Sequence, residues 1–109
     1  MNLLEQVEEL KGFRDFLILD ENGKIEFHHS KIKGVSDRIL AGYLASTYSI
    51  AERTSLSFIG SADELSFDAE SGSVLIMKGH NKYFFLVLDG TPSMGIARLK
   101  LRGIVDNYE

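Results

Sequence analysis

The chain has 109 residues, 12 Lys plus Arg against 16 Asp plus Glu, and a formal charge of -4. That length suits one hydrophobic core and one domain over residues 1–109, and 44% apolar with 26% charged residues argues against disorder along most of it. The acidic balance argues against nucleic acid as a partner, and the absence of cysteine excludes disulfides, thiolate metal sites and thiol nucleophiles.

The opening Met1, Asn2, Leu3, Leu4, Glu5 lacks the basic start and apolar middle of a signal peptide. The longest apolar run, Tyr83 to Leu88, is too short to span a bilayer. A cytoplasmic location with no integral membrane segment is the expectation. Leu3, Leu4, Val7 and Leu10 recur at helical spacing among Glu5, Glu8 and Glu9, with Gly12 as a stop. Phe13 to Leu19 reads as a strand, and Asp20, Glu21, Asn22, Gly23 as a hairpin turn leading into a second strand, Lys24 to His28. After the polar connection Lys31 to Gly34, Ser36 or Asp37 caps a long helix reaching about Phe58. Its expected core face carries Ile39, Leu40, Tyr43, Leu44, Thr47, Ile50 and Ala51. The opposite face carries the small residues Ala41, Gly42, Ala45, Ser46 and Ser49 with Tyr48 as its one large side chain. Such a face is either solvated or met by another helix.

Three short segments follow, Glu64 to Ala69, Ser73 to Lys78 and Lys82 to Leu88, broken by Glu70, Ser71, Gly72 and by Gly79, His80, Asn81, as in a meander of hairpins. Ser93, after the single proline Pro92, caps a third helix with Met94, Ala97, Leu101, Ile104, Val105 and Tyr108 on one face. The first, fourth and fifth strands are apolar on both faces and belong in the middle of a sheet, whereas the second and third alternate and belong at its edges. Keeping hairpin partners adjacent orders the sheet 2-1-5-4-3, five antiparallel strands in a three-layer α/β/α, α+β architecture. The long helix covers one face and the terminal helices the other.

Chemistry-bearing patterns are sparse. Adjacent strand positions send His28 and His29 to opposite faces, and His80 lies in a different turn, so no metal site is expected. Neither a phosphate-binding loop nor a dinucleotide fingerprint occurs, and no nucleophile elbow supports a catalytic triad. Asp15, Asp20 and Glu21 read as a solvated acidic turn, and Lys31 and Lys33 are too few for a nucleic-acid track. The expectation is a non-enzyme with no cofactor.

The third strand is the exception to this plainness. Glu64 to Ala69 contains neither proline nor lysine, the usual guards of an edge. Pairing with its own copy across a two-fold axis joins two sheets and brings two long helices side by side. The expected homodimer contacts are Leu65, Ser66, Phe67 and Asp68 on the strand with Ala41, Ala45 and Tyr48 on the helix.

The order of elements resembles the roadblock (dynein light chain) family, which shares a profilin-like architecture. The resemblance rests on Gly12 leading into Phe16, Leu17, Ile18, Leu19, Asp20 with Asn22-Gly23, on the Leu40 to Ala51 helix, on the meander ending Phe84 to Leu88, and on Gly95, Ile96, Ala97, Arg98, Leu99. It implies, for a prokaryotic member, a dimeric regulator, scaffold or activator of a Ras-like small GTPase, acting by ordering the GTPase's own catalytic groups. Its eukaryotic counterpart is a dynein light chain-type assembly subunit. Against these stands a small-ligand sensing domain with a pocket between sheet and helix; a deep, polar-lined cavity would favour it.

Overall fold

The computed structural model describes residues 2–32, 34, 36–90 and 93–108. The expectations placed on Lys33 and Pro92 lie outside them. The elements are α1 (Leu3–Glu8), β1 (Phe13–Asp20), β2 (Ile25–Ser30), α2 (Asp37–Leu56), β3 (Glu64–Ala69), β4 (Gly72–Gly79), β5 (Lys82–Asp89) and α3 (Met94–Asn107). The strands form one antiparallel sheet in the order β2-β1-β5-β4-β3.

Local chemistry accounts for the connections. Asn2, Ser36 and Ser93 each accept a backbone N–H of the first turn of the helix that follows. At the β1–β2 turn the Asp20 carboxylate accepts the N–H groups of Asn22 and Lys24 at 2.9 Å, and only Gly23 takes a positive φ, 84°. The turn over Asp20 to Gly23 stands as the sequence has it, with Gly23 supplying the positive φ and the Asp20 carboxylate organising the loop. A two-residue connection falls between β4 and β5, where Gly79 pairs with Lys82 and both His80 and Asn81 have positive φ.

The sheet is covered on both faces. Phe16, Ile18, Leu75, Met77, Phe84 and Leu86 point to one side, where Val7 of α1 and Ala97, Leu101, Ile104 and Val105 of α3 close over them. Leu17, Leu19, Ile76 and Phe85 point to the other, beneath Ala41, Leu44 and Tyr48 of α2. The alternation follows from the two-residue repeat of a strand.

Several element boundaries differ from the sequence reading by one or two residues. The largest differences are that the first helix ends at Glu8, α2 ends at Leu56, and β2 runs two residues past His28. His28 and His29 thus lie inside the edge strand. Their rings take opposite sides, His29 Nε2 lying 2.9 Å from Glu8 of α1 and His28 Nδ1 3.9 Å from Asp37 of α2.

The larger correction concerns α2. Its core side straddles the two expected faces: Ala41 and Tyr48 are buried together with Leu44, Leu40 and Ala45 are partly buried against the same cluster, and Gly42, Ser46 and Ser49 are exposed. Ile39, Tyr43 and Ile50, expected in the core, are 61%, 72% and 61% exposed. Tyr48 is the large side chain that reaches from this helix to the sheet. Its ring meets Tyr83 edge-on at 5.2 Å and its hydroxyl donates to the Ala62 carbonyl, giving a buried polar atom its partner. Burial raises the Tyr48 phenol well above the ordinary tyrosine value, with Glu52 adding to the effect.

Candidate interaction surface

The second apolar face of α2 and the free edge of β3 are neighbours in the fold, joined by residues 57–63. β3 pairs with β4 from Glu64↔Met77 to Ala69↔Gly72, and its other edge has no strand partner among the described residues. Every residue from Ser66 to Ala69 is exposed. Leu65 packs partly against the α2-side core, and Phe67, two residues on and so on the same face, is 41% exposed. On the opposite face the Ser73 hydroxyl donates to Asp68 at 2.6 Å and Arg98 of α3 donates to Glu64.

On α2, Ile39, Tyr43 and Ile50 follow the spacing of one helical stripe, with Thr47 beside them. Beyond the helix Phe58 and Ile59 are 83% and 87% exposed. Bare apolar side chains set together in this way mark an interaction surface. Among the described residues no group of three or more His, Asp or Glu converges to hold a metal ion.

The strand residues Leu65, Ser66, Phe67 and Asp68 therefore lie along the open edge, as the sequence reading has them. Ala41 and Tyr48 do not face outward but are buried in their own protomer, with Ala45 partly buried beside them. The exposed large apolar side chains of this helix are Ile39, Tyr43, Ile50 and Leu56. The available signal was the double apolar character of α2 together with the single large residue on its small-residue face, since Tyr48 needs a buried acceptor that solvent-facing neighbours could not provide.

A cleft of about 370 Å³ lies between the C-terminal half of α2 and the β1–β2 turn. Ala45 and Ser49 leave it open, Leu19, Leu56, Tyr83 and Phe85 wall it, and Glu52 at its rim is 3.8 Å from Lys78. No helix of the described residues is long and apolar enough to cross a membrane.

These features define a three-layer domain of profilin-like topology whose unusual property is an apolar surface on a free sheet edge. The particular fold is that of a Roadblock/LC7 domain. A Roadblock/LC7 domain from Streptomyces avermitilis superposes with a TM-score of 0.82 over 94% of this chain and 88% of that one, at 12% identity. Myxococcus xanthus MglB matches with a TM-score of 0.77 over 86% of this chain and 72% of its own, at 14% identity. An MglB structure described as having a tetrameric arrangement matches with a TM-score of 0.76 over 94% and 82%, at 21% identity. No family model and no curated protein matches the sequence.

Proposed function

We propose that this chain is a prokaryotic roadblock protein, a non-catalytic homodimeric module that regulates or scaffolds a Ras-like small GTPase in the cytoplasm. The observation that carries the reading is the pairing of an unguarded edge strand, β3, with the bare apolar stripe Ile39, Tyr43 and Ile50 on the adjoining helix. An antiparallel β3–β3 ladder would join two sheets into one, and the two stripes would cover each other across the axis. The tetrameric arrangement described for one MglB supports self-association in proteins of this fold. The GTPase rests on the resemblance to the roadblock family and on the likeness of fold to MglB and MglC.

Sedimentation velocity tests the dimer, and titration of the purified chain against Ras-like GTPases of its own genome, loaded with a GTP analogue or GDP, tests the partner. Nucleotide-dependent complex formation or a changed hydrolysis rate is the expected result. A monomer at high micromolar concentration refutes the first half, and indifference of every such GTPase refutes the second. The runner-up reading, small-ligand sensing, has one observation in its favour, the cleft beside Ser49. Its exposed surface is mainly apolar, and of its polar lining Tyr48 is bonded to the Ala62 carbonyl and Glu52 is paired with Lys78, which leaves Glu21, Ser49 and Arg53 as the groups a ligand would meet.

A further inference from the structure

The cleft between the C-terminal half of α2 and the β1–β2 turn holds two charges that its own chain leaves uncompensated. Glu21 lines it from the turn and Arg53 from the helix. Neither forms an ion pair with any described residue, so they do not reach each other either. The other charged side chain of the lining, Glu52, is 3.8 Å from Lys78. The Ser49 hydroxyl is also free. Thr47 and Thr54 of the same helix donate to the carbonyls of Tyr43 and Ile50, whereas Ser49 Oγ bonds to no described residue.

Around these groups the cleft is apolar and fixed. Ala45 and Ser49, one helical turn apart, are too small to fill it, and Leu19, Leu56, Tyr83 and Phe85 wall it. The Asp20 carboxylate accepts the N–H groups of Asn22 and Lys24, which holds the turn that presents Glu21. Its volume of about 370 Å³ falls in the range of small-molecule sites.

We infer that this cleft binds a small zwitterion with an apolar body, its ammonium group meeting Glu21 and its carboxylate meeting Arg53 and the Ser49 hydroxyl. The charge balance selects the ligand class. With Glu52 paired to Lys78, one charge of each sign remains, and a net-neutral ligand carrying both signs satisfies both. A phosphate ester would bring negative charge against Glu21, a simple amine would leave Arg53 unpaired, and a hydrocarbon would leave both charges unpaired. Apolar amino acids and short apolar peptides share the required chemistry. The β1–β2 turn belongs to the edge of the sheet opposite β3. Binding there is therefore separate from pairing through β3 and from any GTPase contact.

The test is isothermal titration calorimetry of the full chain with leucine and with leucyl-leucine, which distinguish a free amino acid from a short peptide as the source. The N-acetyl and C-terminal amide derivatives of each serve as the other probes. Saturable binding of at least one free zwitterion is expected, weakened about fivefold by acetylation and about fivefold by amidation. Glu21→Gln removes the penalty for acetylation and Arg53→Gln the penalty for amidation, each leaving the other penalty in place. Lys11→Gln, beside α3 on the other face of the sheet, changes neither, and thermal melts confirm that each variant is folded. The proposal is overturned if neither free zwitterion binds, if the blocked derivatives bind as tightly as the free ones, if Glu21→Gln and Arg53→Gln leave both penalties unchanged, or if Lys11→Gln acts as they do.

Discussion

If β3 and the α2 stripe form the proposed homodimer, replacing Tyr43 by alanine separates the stability of the protomer from that of the dimer. The side chain lies on the outer stripe of α2 and is 72% exposed, so its own fold gains little from it. An aromatic residue presents roughly 200 Å², so covering the exposed share removes about 140 Å² from water, worth about 3.5 kcal/mol at 25 cal/mol per Å². Alanine retains part of that area, leaving a loss of about 2 kcal/mol for each protomer. A two-fold interface contains the residue twice, so the dimer loses about 4 kcal/mol, close to a thousandfold in Kd. Sedimentation velocity over a concentration series measures the shift, and far-UV circular dichroism with a thermal melt checks that the protomer is intact. A Kd within threefold of the parent, from a folded variant, would falsify the assignment of this stripe to the interface.

Three further outcomes test the interior. Tyr48→Phe removes the donor to the Ala62 carbonyl and should cost about 1–2 kcal/mol, lowering Tm by calorimetry while leaving the dimer Kd alone; an unchanged Tm would contradict the buried hydrogen bond. Gly72→Ala places a Cβ 2.1 Å from the Leu88 carbonyl oxygen and should destabilise by about 1–3 kcal/mol, whereas Gly42→Ala, with nothing within 4 Å, should stabilise by about 1 kcal/mol; urea midpoints that fail to move in opposite directions would reject this packing. Glu26 is held below its ordinary value of 4.5, first by the hydrogen bond from Lys82, with the Tyr108 hydroxyl assisting against partial desolvation. A depressed folded-state value contributes stability above the unfolded value and loses it as pH falls through the folded one, so Glu26→Gln should flatten the acid limb of the stability curve below pH 4.5; an acid limb identical to the parent's would show that this carboxylate is not linked to folding.

The sheet was legible in the sequence because its order follows from which strands are apolar on both faces. β1, β4 and β5 read as central and β2 and β3 as edges, and the ladder has that order. The inner face of α3 was legible for a similar reason: Ala97, Leu101, Ile104 and Val105 repeat at helical spacing with no competing stripe on the chain's other side. On α2 the rule failed because two stripes compete. Ile39, Tyr43 and Ile50 are the more hydrophobic set, yet Ala41, Leu44 and Tyr48 face the sheet, because the contact of the Tyr48 ring with Tyr83 and the bond of its hydroxyl to the Ala62 carbonyl decide the orientation. No periodicity within the helix encodes either factor. The cluster of Lys82, Glu26 and Tyr108 was equally hidden, since it joins β5, β2 and the end of α3 across β1 and exists only once the sheet is assembled.

A helix with apolar residues on two opposed faces is stable in water only if both are covered, or if the exposed one is retained for a purpose. The sheet covers one face of α2, which leaves the other to a partner. The strand beside it points to the same partner, because a second copy supplies both a β3 edge and an α2 stripe in a single symmetric contact, whereas an unrelated protein would have to match each separately.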